Sequence, residues 1–132
     1  MTEGRNAMSA DLASDQAMIL QVVRGERPWT DLRQLGISVQ VEGTRYTYHN
    51  PRPIEATARV YDLARGFLAY RQDPQRLREW AFILEASDID LDVAGHPAGE
   101  MLLDALWRAS FGEPLGEAVF HTAEQLAAEG TP

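Results

Sequence analysis

The chain has 132 residues, 45% of them apolar and 24% charged, with 20 acids against 12 bases and a formal charge of −8. That size and balance suit one globular domain and exclude a disordered or fibrous chain. Without cysteine there is no disulfide framework, thiolate metal site or cysteine nucleophile, and the acidic balance opposes a general nucleic-acid binder.

The opening stretch MTEGRNAMSADLASD lacks the apolar run of a secretory signal, and its Gly, Asn, Ser and Asp content predicts a flexible tail over residues 1–10 ahead of a single domain over residues 11–130. Met8 is an alternative start. The first helix is expected from Asp11 to Arg24, with Ile19, Leu20 and Val23 on one side and Gly25 as a stop. A short helical turn follows, from Pro28 to Gly36. The period then changes. Ile37, Val39 and Val41 alternate with polar residues, as do Tyr46 and Tyr48 beyond Gly43, which predicts a β-hairpin over about residues 37–48. Pro51 and Pro53 end it, and His49 is expected in a loop.

Helical spacing resumes over Ile54–Tyr70, carried by Val60, Leu63, Ala64, Phe67 and Leu68. Asp73-Pro74 restarts a helix as N-cap and first-turn proline, burying Leu77, Trp80, Ala81 and Leu84 and fading near Ser87. Pro97 is expected to open the next helix, which closes near Gly112, and Glu113-Pro114 the last. The expected fold class is mainly α: a compact bundle of five or six helices with one hairpin.

Between two of these helices runs SDIDLDVAG, with Asp88, Asp90 and Asp92 at alternate positions, like the first acids of a calcium loop. The register fails, because Val93 stands where the loop needs glycine and Gly99 where it needs a bidentate glutamate. An extended linker with Ile89, Leu91 and Val93 inward and three carboxylates outward accounts for the pattern better. His96, Glu100 and Asp104 share metal-ligand spacing, but a helix opening at Pro97 leaves His96 outside it, and acids in a first turn are what the helix dipole favours. Glu117, His121 and Glu124 share a face without the Glu-x-x-His repeat of di-metal bundles. No nucleophile elbow, phosphate cradle or dinucleotide fingerprint is present. No catalytic residue, metal or cofactor is therefore assigned. Among the central arginines, Glu55–Arg59, Asp62–Arg65 and Arg76–Glu79 stand at helical pairing distance.

Charge is unevenly spread. Residues 1–78 carry a net +2 and residues 79–132 a net −10, with Arg108 the single base in the latter. All 12 bases are arginine, a pattern consistent with a GC-rich bacterial genome, and the simplest compartment is the bacterial cytoplasm. The stretch FLAYRQDPQRLREWAFILEASDIDL, with Leu77, Trp80 and Ala81 at the centre of its helix, resembles small bacterial immunity-type proteins, including the colicin-immunity-like ones. The resemblance spans roughly residues 67–91, and the hairpin is an addition to their plain four-helix plan. It implies a small acidic chain that binds and neutralises a toxin, commonly a basic nuclease.

Charge alone places the expected docking surface for a basic protein at Glu85, Asp88, Asp90, Asp92, Glu100 and Asp104; Trp107 is expected in the core, and would serve as an anchor if it were exposed. No nucleic-acid or membrane partner is expected. Other readings are a structural or adaptor subunit of a bacterial complex, with the hairpin edge as the surface for a homodimer, and a small enzyme using carboxylates and His121. From the broken loop register and the absence of thiolates, calorimetry is expected to find no stoichiometric micromolar binding of calcium or zinc; such binding of either ion would reverse the metal assignment.

Overall fold

The computed structural model describes residues 14–42, 45–49, 56–87 and 89–130. Helix α1 covers residues 14–23 of this span; residues 11–13 of the expected first helix and the N-terminal tail lie outside it, and Arg24 falls in the turn that follows α1. A 3-10 helix, η1 (Trp29–Leu35), follows and ends at Gly36, whose φ of 85° is the left-handed geometry glycine adopts without penalty. Pro28 is the residue before η1 and not its first member, being held at ψ 145°.

The period change is real. β1 (Ser38–Glu42) and β2 (Arg45–His49) pair antiparallel, with Val39 opposite Tyr48 and Gln40 opposite Thr47. Val39 and Tyr48 pack against the core while Gln40 and Thr47 face water, the alternation a half-buried hairpin requires. His49 is paired with Ser38 as the last residue of β2 and is not in a loop.

A second sheet was not expected. β3 (Thr57–Arg59) pairs parallel with β4 (Asp90–Asp92), placing Ala58 beside Leu91 and Arg59 beside Asp92. The pairing takes Thr57–Arg59 out of the helix expected from Ile54, so α2 is Val60–Ala69. Asp62 fixes that start: one carboxylate oxygen accepts the Arg59 backbone N–H at 2.9 Å, and the other accepts Arg24 Nε at 2.8 Å. One side chain thus caps α2 and ties it to the end of α1.

Helix α3 (Pro74–Ala86) opens as expected, with Asp73 accepting the Arg76 backbone N–H at 3.2 Å. Helix α4 is Gly99–Ser110 and α5 is Glu117–Glu129. Both begin later than their prolines suggested. Pro97 lies in a turn in which Gly99 N–H bonds the His96 carbonyl at 2.9 Å, and Pro114 lies in an extended segment ahead of the Gly116 N-cap. The expected helical ion pairs give way to other partners: Asp62 pairs with Arg24 across 38 residues, Arg76 pairs with Asp73 three residues before it, and Glu79 accepts a hydrogen bond from the Trp29 indole. Glu55 lies outside the described residues.

The core centres on Trp80. Its ring is fully buried, edge-on to Phe67 at 5.0 Å, and its Nε1–H donates to the Val23 carbonyl at 3.1 Å. Gly66 makes this possible, because a Cβ at that position would collide with the Trp80 ring and the Val23 carbonyl oxygen. Gly66→Ala should cost about 2–3 kcal/mol, as overpacking of a filled core does. Urea denaturation measures it, and an unchanged midpoint would show that the α2–α3 contact is looser than described.

Candidate functional site

Helix α4 has two unlike sides. Leu102, Ala105, Leu106 and Ala109 are buried, and their spacing turns Glu100, Asp104, Trp107 and Phe111 onto the opposite face at i, i+4, i+7 and i+11. Trp107 is 55% exposed, Phe111 60% and Met101 43%. Trp107 is therefore a surface residue and not part of the core. Its ring meets Phe111 edge to face, centroids 4.9 Å apart, so the two aromatics shield each other only in part. Gly112, with φ 80°, turns the chain immediately after Phe111 and ends the helix there.

The acids expected to share one surface fall into separate groups. Glu100 and Asp104 lie one turn apart on the α4 face, and Asp104 meets Arg108 at 3.1 Å in a pair more than half exposed on both sides. Asp90 and Asp92 are both exposed, on the same side of β4, while Ile89 and Val93 are buried and Leu91 is half-buried. The inward and outward assignment of this segment holds, although it is a paired strand and not a linker. Asp88 lies outside the described residues. Glu85 stands apart, half-buried on α3, where burial pushes its carboxyl above the ordinary value of 4.5. Among the described residues, no three His, Asp or Glu side chains converge as metal ligands.

Acids of α5 are engaged across the fold. Arg71, just past α2, reaches α5 and holds Glu117 and Glu124 at 2.6 Å each while its guanidinium lies over the Phe120 ring at 5.1 Å. His121, on the same helix, is exposed and 3.4 Å from Gln125. His96 Nδ1 accepts the Ala98 backbone N–H at 3.0 Å, and its Nε2 lies 3.5 Å from Glu129, so it ties the approach to α4 to the end of α5. Among the described residues, no ion pair engages Asp90, Asp92 or Glu100. Within the C-terminal segment, Glu117 and Glu124 on α5 thus share the single positive charge of Arg71, while Asp90, Asp92 and Glu100 are exposed and outside any ion pair of the described residues.

No described helix is long and apolar enough to cross a membrane. Comparison with known protein families, characterised proteins and solved structures finds no match.

The Glu85 environment has a measurable consequence. A carboxyl whose folded value is raised binds its proton more readily folded than unfolded, so stability is lost as pH rises from 4.5 through the folded value. Glu85→Gln removes that loss. The variant should melt slightly higher than the parent at pH 7, by a fraction of a kcal/mol given the partial exposure, and the difference should vanish below pH 4.5. A variant less stable at pH 7 would mean that the carboxylate has a favourable partner.

Proposed function

We propose that this chain is a non-catalytic binding protein whose α4 face docks a basic protein, in the manner of an immunity-type inhibitor of a bacterial toxin. The observation that carries this reading is the exposed Trp107–Phe111 pair on the same helix face as Glu100 and Asp104. Aromatic rings in water are poised for burial, and tryptophan is prominent among the residues that dominate interface energy. Carboxylates beside them select the partner's charge, speed encounter and penalise acidic surfaces. The β4–α4 acids support the same reading, since among the described residues no arginine pairs with Asp90, Asp92 or Glu100.

The test begins with affinity capture from the native host at low salt, then purification of the retained basic protein and measurement of its binding kinetics. Trp107→Ala should weaken binding at least about tenfold, chiefly through faster dissociation, because an anchor acts once the complex has formed. The double variant Glu100→Gln, Asp104→Asn should instead slow association at low salt, with the difference shrinking as salt is added. Both variants should fold normally, as the altered side chains face water. A captured protein whose kinetics neither variant changes would overturn the assignment of this face.

A further inference from the structure

On the other flank of α3 lies an open cleft of about 700 Å³, bounded by the Gly25–Pro28 turn with the first residues of η1 and by the corner where α2 passes into α3. Helix α3 turns Arg76 and Glu79 toward this cleft, while Arg78 lies against Gly112 beyond the end of α4. The cleft is therefore separate from the α4 face, and nothing in the docking reading uses it. Its volume is within the range of small-molecule sites. Trp29 and Tyr70 supply apolar surface, and the Tyr70 hydroxyl is 3.5 Å from the Arg27 carbonyl, holding the turn against the helical corner.

The charges decide what the cleft accepts. Both arginines in its wall already face carboxylates, Arg27 with Asp31 at 3.6 Å and Arg76 with Asp73 at 3.4 Å. Glu79 differs. One of its oxygens accepts the Trp29 indole N–H at 3.2 Å and the other the Gln75 amide at 3.2 Å, so neutral donors orient the carboxylate without cancelling its charge. The Trp29 ring also draws a cation already, with the Arg33 guanidinium carbon 5.6 Å from its centroid. A negative charge held at the edge of a tryptophan, inside a cleft with an apolar wall, is the arrangement that recognises an organic cation.

We infer that the Trp29–Glu79 cleft binds a small organic cation, a guanidinium or primary-ammonium compound, with the charged group at Glu79 and its carbon chain along Trp29 and Tyr70.

Agmatine is the probe. In a titration of the full chain followed by amide and indole NMR, the Trp29 indole signal, assigned by its loss in Trp29→Phe, should shift saturably at millimolar agmatine or below, while those of buried Trp80 and of Trp107 stay in place. Glu79→Gln keeps an oxygen for the Trp29 N–H but removes the charge, and calorimetry should show agmatine binding weakened at least about fivefold. Trp29→Leu, which leaves Glu79 charged, should weaken it as well, and it serves as the second variant if Glu79→Gln does not fold. The proposal is overturned if agmatine produces no saturable shift, if its affinity is unchanged in both variants, or if inorganic phosphate produces the shift instead. An end-blocked arginine peptide binding more tightly than agmatine would overturn the small-molecule assignment and transfer the cation to a protein side chain. Loss of docking at the α4 face, read in Trp107→Ala, leaves each of these outcomes unaffected.

Discussion

The fold depends on one crowded junction. Trp80 lies among α1, α2 and α3, and it reconciles two demands that usually conflict: burying a large ring and satisfying the polar N–H that ring carries. The N–H is satisfied by the Val23 carbonyl, one of the last in α1, which a continuing helix would otherwise have used. The price is space, met by Gly66 on the facing side of α2. Phe67 and Tyr70 then close around the same ring, at 5.0 and 6.0 Å. Because Tyr70 also forms part of the Trp29–Glu79 cleft, the packing of the core sets the position of one wall of a surface feature.

A second constraint acts through the short parallel pair. A parallel connection needs a crossover, and α2 and α3 together provide it between β3 and β4. With Arg59 and Asp92 in register, β4 is held where the residues on either side of it, Ile89 and Val93, reach the core and its two aspartates face out. Val93 then lies directly against Gly99, where any Cβ would collide with the Val93 carbonyl, and this contact seats the first turn of α4. The rotation of α4 about its axis, and hence the outward direction of Trp107 and Phe111, follows from that seat together with Leu102, Ala105, Leu106 and Ala109 packing inward.

Much of this was legible in the sequence wherever the signal was local. The change of period at residues 37–48 located the hairpin, and Asp73-Pro74 located the start of α3, because turn chemistry and capping involve neighbouring residues only. The β3–β4 pair was not legible. Each strand has three residues, too few for a period to show, and their partners are more than thirty residues apart in the chain. The exposure of Trp107 could have been read from its own helix, since a face made of Leu102, Ala105, Leu106 and Ala109 turns residue 107 away from it. The general tendency of tryptophan to be buried prevailed over that local geometry. The clustering of acids by sequence position was a poorer guide than contacts across the fold. Arg71 offsets one of the two charges of Glu117 and Glu124, and no spacing rule relates it to either. The Trp29–Glu79 bond, across 50 residues, was equally out of reach.

The two kinds of group on α4 differ in how far the fold itself satisfies them. Glu100 sits in the first turn, where the positive end of the helix dipole favours an acid, and Arg108 sits in the last turn, where a base is favoured. Such interactions are worth about 0.3–1 kcal/mol each, so part of the apparent charge excess is already offset within the helix. No comparable relief exists for Trp107 and Phe111. Each forgoes most of the roughly 1.5–3 kcal/mol that burying a large apolar side chain returns, and their mutual contact recovers only a fraction of it. The greater unrealised stabilisation on this helix is therefore aromatic, and the acids contribute mainly through the range of their field. A partner that covers α4 would draw its affinity from the ring pair and its rate of approach from Glu100, Asp104 and the β4 aspartates, two contributions that salt separates because it screens the second and leaves the first nearly unchanged.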